Sequence, residues 1–418
     1  MQRLIKIICV VVLLMGSTGT SAHAQKPLTW EEVRTRFEAN NPTLRAGQLA
    51  VEESKANEIS AYLRPNPNFI ALLDQVTLFS GDPYQPLAQA LPAGTVTYLH
   101  ERQHKRELRR DSAEKATGIA IDSQTDLERN LVFSLRLAFV QTLQGKAVLQ
   151  LAKDNLATYD KSLAIYRDRY EVGDISQMDL NRLELQRLQF LSDLQNAEIS
   201  LRNAKIQLLT LLNDQTSVEQ FDVDGRFDFS RVIGPLADYR QMALDARPDL
   251  KAALQAINKA ETDHKLAVAN GSTDPTFGVD VGKNPPIDRY MGVSISIPLR
   301  VFDRNQGEKL RTQIDIERQQ RLSEASRAQV FNDVDSSYTV LTNTVALLIP
   351  YRDSYLDKAV QVRDTVSFAY EHGGASLLDY LDAQKEYRAT EVNYLTLIGS
   401  YLMAVNQLNL AVGREVIQ

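Results

Sequence analysis

The chain has 418 residues, a formal net charge of −6, 19 glycines, 14 prolines and a single cysteine, Cys9. One cysteine excludes internal disulfides and cysteine metal clusters. A mildly acidic chain whose one basic run is RQHKRELRR at 102–110 lacks the broad cationic surface that nucleic acid requires.

Arg3 and Lys6, the apolar run Ile7–Met15 and the small residues of Ala22-His23-Ala24 predict a signal peptide over 1–24, cut after Ala24. No later stretch reaches the 18 or so apolar residues of a helical span, while the weak alternating signal of a membrane β-barrel stays open. Thr29 with Glu32 predicts a capped helix, Asn40-Asn41-Pro42 interrupts it, and a second helix runs to Leu63. A hairpin with a long loop is expected over about 66–100. Leu73, Gln75, Thr77 and Phe79 alternate there with Asp74, Val76 and Leu78. Turn formers fill Ser80 to Gly94, and Thr95–Leu99 is the return strand.

Residues 103–169 contain no proline, and Leu127, Leu131, Leu135, Ala138 and Leu143 recur near helical spacing. One helix of roughly 100 Å follows, at 1.5 Å per residue. Gly173 breaks it, and a further helix, apolar in steps of three and four, is expected from Ser176 to Leu212. Residues 213–236 read as a charged, glycine-bearing link.

The plan then repeats. Asp245-Ala246-Arg247-Pro248 echoes Asn41-Pro42, and Asp274-Pro275-Thr276-Phe277 echoes Asn66-Pro67-Asn68-Phe69. Two strands are expected, Thr276–Val281 and Met291–Ile297, around a turn at 282–286. The second strand sets Met291, Val293, Ile295 and Ile297 against Gly292, Ser294 and Ser296, and Pro298 stops it. A long helix from Gln306 to Ala369 and a last one from Leu377 to Val412 flank YEHGGASLLDY at 370–380, which matches YEVGDISQMDL at 170–180. The order divides the chain into a first repeat at 25–213, a linker at 214–238 and a second repeat at 239–418, with hairpins near 66–100 and 275–298 and helix turns at 171–176 and 371–376.

Four strands cannot close a barrel, and bare sheet edges are forbidden in lipid. Either the sheet is small and soluble, or several chains pool their strands; three chains with four strands each would give twelve. At this point the chain resembles the outer membrane efflux protein family, the TolC-like exit ducts of Gram-negative tripartite pumps, over about residues 28–413. The segment Ile297-Pro298-Leu299-Arg300-Val301-Phe302-Asp303-Arg304-Asn305-Gln306-Gly307 resembles the strand-to-helix junction of the heavy-metal cation efflux subgroup, with Pro298, Phe302, Asp303, Asn305 and Gly307 as its marks. The doubled Tyr-Glu-x-Gly…Ser-x-x-Asp turn is the second family mark.

The resemblance implies a predominantly α-helical fold whose long hairpins form an α-barrel, plus a transmembrane β-barrel shared by a homotrimer. It implies an outer-membrane location reaching into the periplasm, contact with membrane lipid, a periplasmic adaptor and an inner-membrane RND-type transporter as partners. No enzymatic activity, cofactor or nucleic acid is implied. Passive export of divalent metal cations is the first expectation and export of drugs or small molecules the alternative; a periplasmic scaffold without a barrel is the rival. The tips, Gly173, Asp174 and Ser176 with Gly373, Gly374 and Ser376, become adaptor docking turns. Asp379, Asp382, Tyr370, Asp179 and Arg182 become the periplasmic gate, with Arg182 a candidate partner for acids of the second turn. Ala375 stands where some relatives carry arginine. Without the family, these acids read as helix-start residues favoured by the dipole. The remaining histidines read as surface residues, although His100 and His104 have an i,i+4 spacing that can hold a metal.

Overall fold

The computed structural model describes residues 26–76, 79, 83, 85–231 and 233–417. The expected leader and Thr77 and Leu78 of the first hairpin lie outside them.

Thr29 caps helix α1 (Trp30–Asn40), donating and accepting with Glu32 in a complete capping box. Pro42 starts α2 (Pro42–Tyr62). Strands β1 (Asn68–Asp74) and β2 (Leu91–Leu99) precede α3 (Lys105–Glu171) and α4 (Gln177–Leu212). The second round is α5 (Leu236–Ala246), α6 (Pro248–Asn270), β3 (Thr276–Asn284), β4 (Ile287–Ser296), α7 (Gln306–Pro350), a π-helical turn (Tyr351–Tyr355), α8 (Leu356–Glu371) and α9 (Leu377–Val412). The chain forms two compact units. One contains the described residues up to Asn41, Leu135–Phe229 and Leu348–Ser400; the other contains Pro42–Ser134, Ser230–Leu347 and the chain from Tyr401 onward.

The second unit holds an antiparallel sheet of order β1-β2-β3-β4. Its register sets Phe69, Val96, Val279 and Val293 in one row and Tyr98, Phe277 and Ile295 in the next. This face is apolar and uncovered: Met291, Val293 and Ile295 are 73%, 84% and 65% exposed. The opposite face carries Thr95, Thr97, Gly278, Asp280, Gly292 and Ser294. Among the described residues, β1 and β4 each have one strand neighbour, so both outer edges are bare.

Several expectations are corrected. The first strand lies earlier than the alternation around Leu73 to Phe79 suggested, because Gln75 takes a left-handed φ of 52° and ends the extended run at Asp74. The return strand starts at Leu91 and includes Pro92, whose missing N–H is tolerated opposite Leu73. The second hairpin turns at Pro285-Pro286, so β3 and β4 extend through residues assigned to the turn. The helix expected from Gln306 to Ala369 contains a π turn directly after Pro350, a residue without an N–H for the α-helical ladder. Residues 213–236 are more than a charged link. Phe221, Val223 and Phe229 are buried, and Leu28 and Val223 form a parallel bridge that Lys146 secures through Asp222 and the Val223 carbonyl. Among the described helices, α9 carries an 18-residue window of mean hydropathy 1.3, apolar enough for a span, yet half of that window is buried inside the protein.

The two rounds of the chain end alike. Asn41 donates to the Leu211 carbonyl, and Arg247, at the matching X-Pro junction, donates to the Ala411 carbonyl. Asn213 and Gly413 both close their helices in the left-handed conformation. Arg247 is only 4% exposed and is neutralised by Asp249 at 2.5 Å and Asp333 at 2.7 Å. Such a buried cation is tolerated because both carboxylates and a carbonyl satisfy it.

Candidate functional site

The two helix turns, both in the first unit, have the same construction. The Gly173 N–H bonds the Tyr170 carbonyl at 3.0 Å and the Asp174 N–H bonds the Arg169 carbonyl at 2.9 Å. In the second turn Gly373 bonds Tyr370 at 3.2 Å and Gly374 bonds Ala369 at 2.7 Å. These are Schellman caps, which require a left-handed residue at the first position past the helix. Gly173 and Gly373 supply it with φ of 85° and 76°.

The following helices start alike too. The Ser176 hydroxyl accepts from the Asp179 N–H at 3.0 Å and donates to Asp179 Oδ2 at 2.8 Å. The Ser376 hydroxyl does the same with Asp379, at 3.2 and 2.7 Å, and the Ser376 N–H returns to Asp379 Oδ2 at 3.0 Å. Asp379 is thus a capping residue, and its bonds to Ser376 hold its carboxyl below the usual range. Asp382 lies one turn further on α9, exposed and without a hydrogen-bond or ion-pair partner among the described residues.

Inside the turns the twins diverge. Tyr170 is 37% exposed, whereas Tyr370 packs on a buried cluster. Tyr370 stacks on Tyr380 with centroids 5.1 Å apart and a 22° interplanar angle; Tyr166 meets both rings edge-on at 5.7 Å. Burial pushes the hydroxyls of Tyr166, Tyr370 and Tyr380 upward; the negative charge of Asp179 adds to the shift at Tyr370. Leu163, Leu180, Leu183 and Leu377 surround these rings. Arg169 links the turns by donating from Nη1 to the Glu371 carbonyl at 3.1 Å.

The structure therefore brings together Asp179, Tyr370 and both glycine turns. Arg182 is exposed, and within the single chain no pairing with an acid of the second turn occurs among the described residues; Arg169, one helix earlier, reaches that turn. Tyr166, Tyr380 and Arg169 were not singled out from the sequence, although Tyr380 closes the repeated motif itself and its twin, Leu180, is apolar. At the strand-to-helix junction Asn305 takes a φ of 60° and donates from Nδ2 to the Ala267 carbonyl at 2.7 Å; Asp303 Oδ1 accepts from its N–H at 2.8 Å. Phe302 is exposed there, after Pro298, and Gly307 is the second residue of α7. His100 ends a strand region and His104 has a left-handed φ of 54°, so the pair does not share a helix face. The described residues contain no group of three metal-ligating side chains of the His, Cys, Asp or Glu type.

The description "Outer membrane efflux protein" matches residues 239–414. The chain is 23% identical over 411 residues to the cobalt-zinc-cadmium resistance protein CzcC of Cupriavidus metallidurans, covering 96% of this chain and 94% of that one. Over residues 239–414 the chain resembles the outer membrane efflux protein family. It is 21% identical over 421 residues to the outer membrane protein TolC of Vibrio cholerae, with the same coverage of 96% and 94%. The structure of CusC, which forms a transmembrane channel on folding, superimposes with a TM-score of 0.78 at 17% identity over 92% of each chain. What this likeness shows is the fold, long helices joined to a small antiparallel sheet.

Proposed function

We propose that three copies of this chain form a passive exit duct of a tripartite efflux system. The observation that carries the reading is the sheet. An apolar face left uncovered and two bare edges are unfavourable in water, and in lipid bare edges are worse. Pooling four strands from each of three chains removes the edges, and the apolar rows then face the acyl chains, as in other membrane barrels. The small and polar side chains of the other face would line the lumen. The helices of the repeats at 25–213 and 239–418, joined through 214–238, would form the periplasmic tunnel.

The turns at 171–176 and 371–376 are the proposed docking points for a periplasmic adaptor, which would connect the duct to an inner-membrane RND-type transporter. Around a threefold axis Asp382, and Asp379 where its cap permits, would form rings of negative charge that favour cations over anions. Tyr370 and Asp179 would set the resting contact between turns, and Arg182, exposed on α4, would be available to a neighbouring copy.

For cargo, small molecules handed over by the transporter are the broader reading, because the similar proteins include the outer membrane protein TolC, whose name carries no metal, as well as CzcC. Divalent metal cations are the narrower reading; the 297–307 junction and the likeness to a cobalt-zinc-cadmium resistance protein favour it. The test is reconstitution in a planar bilayer with purified trimers. Asp382→Asn should change conductance and weaken block by divalent cations, and wild-type behaviour would remove Asp382 from the gate. A soluble periplasmic monomer on fractionation would remove the duct itself. Deleting the gene and measuring tolerance to cobalt, zinc, cadmium and a panel of drugs separates the two cargo readings.

A further inference from the structure

Above the aromatic cluster, α3, α4 and α9 leave a cleft of about 740 Å³ within the first unit, a size suited to a small organic molecule. One wall is apolar, with Val148, Leu151 and Val392. The other centres on Arg388. This residue is only 9% exposed, yet its one hydrogen bond among the described residues runs from Nη1 to Asp193 Oδ2 at 2.9 Å. Its Nε is shielded from solvent and has no partner. A guanidinium carries five N–H donors, and leaving them unmade in a buried position is costly.

Packing does not explain this placement as a simple salt bridge. The guanidinium lies over the ring of Phe190 at 4.1 Å, and Tyr159 stacks on Phe190 at 4.3 Å. The arginine therefore rests on an aromatic floor through a cation–π contact that does not use its donors. Burial lowers its proton affinity against the opposing pull of Asp193, but an arginine remains a cation at neutral pH. Lys385 also lines the cleft, and Asp193 is its only acid, so the lining carries a surplus of positive charge. Gln186, Gln189 and Asn393 add amide groups that donate and accept without charge.

We propose that this cleft binds an organic carboxylate, whose anionic end competes with Asp193 for the Arg388 guanidinium and whose flat apolar body lies against the Val148, Leu151 and Val392 wall. A planar carboxylate that displaces Asp193 from Nη1 can pair with the planar guanidinium in bidentate fashion through Nη1 and Nη2. The aliphatic wall gives the body a dry surface, and the amides accommodate substituents. The proposal needs no particular oligomer.

The probe is 2-naphthoate, titrated calorimetrically into the full-length protein in detergent, with 2-naphthylmethanol as the uncharged control. Saturable binding at one site per chain is expected for naphthoate and not for the alcohol. Asp193→Asn removes the competing carboxylate and should tighten binding by about tenfold, the equivalent of one charge-assisted hydrogen bond. Arg388→Gln should abolish binding. Ala389→Trp fills the cleft, leaves the Arg388–Asp193 pair in place and should abolish it as well, which guards against misfolding of the charge variant. Absence of saturable naphthoate binding overturns the proposal. So does equal binding of the alcohol, or binding that all three variants leave unchanged, either of which would mark nonspecific adsorption.

Discussion

Replacing Gly373 by alanine isolates the backbone contribution of the turn. A Cβ at this position would meet nothing within 4 Å, so no steric neighbour opposes it. What remains is the φ of 76°, where an L-residue loses about 1–2 kcal/mol relative to glycine. The same reasoning holds for Gly173, with a φ of 85° and open space around it. Gly374 is the internal control: its φ is not in the left-handed region, and its nearest neighbour, the Ala369 carbonyl oxygen at 3.5 Å, is at ordinary contact distance. Hydrogen exchange of the turn peptides, followed by mass spectrometry on the assembled protein, reads the local opening equilibrium. Gly173→Ala and Gly373→Ala should speed exchange of the amides at 173–174 and 373–374 by about 5–30-fold. Gly374→Ala should change it by less than about threefold. Equal acceleration by Gly373→Ala and Gly374→Ala would refute the assignment of Gly373 as the left-handed cap, since only the φ differs in kind between them.

Three further outcomes follow from the packing. Arg247→Ala leaves Asp249 to Arg129 at 3.8 Å, Asp333 to the Gln329 amide and the Ala411 carbonyl without its donor; it should cost about 1–3 kcal/mol, read as a lower melting temperature of the detergent-solubilised protein, and an unchanged melt would show that the network is idle. Tyr166 and Tyr370 have folded-state pKa values raised above that of a free tyrosine, so their contribution is full below the unfolded pKa of about 10 and is lost as pH rises through the folded value. Absorbance at 295 nm should therefore show fewer tyrosines ionised at about pH 10.5 in the folded protein than after unfolding, and Tyr166→Phe should shrink that difference. In the sheet, Val293→Arg should impair assembly in outer-membrane fractions, by about 2–4 kcal/mol if the residue lies near mid-bilayer, while Ser294→Arg on the opposite face should assemble; equal loss from both would contradict the proposed facing of the sheet.

The sequence by itself determined much of this architecture, because the signals were local. Thr29 and Glu32 form the cap their spacing implied, and new helices start directly after Ser176 and Ser376, where the breaks at Gly173 and Gly373 implied them. Glycine at the turns was legible since a backbone conformation, rather than a partner, selects it. The alternation of Met291, Val293 and Ile295 with small residues likewise marks one face of a strand without reference to anything distant.

Other features waited for the tertiary structure, because they depend on which distant side chains meet. No pattern distinguishes Tyr370 from its twin Tyr170; only the arrival of Tyr166 and Tyr380 from other helices buries one and leaves the other in water. The reach of Arg169 to Glu371 and of Arg388 to Asp193 joins residues about two hundred positions apart, and the same composition permits many other pairings. The segment 213–236 looked like a loose link because its charges outnumber its aromatics, yet Phe221 and Val223 find a groove made by elements far away in sequence. Local backbone preference acts within a few residues and can be read from them, whereas burial is decided by the partners that folding brings in.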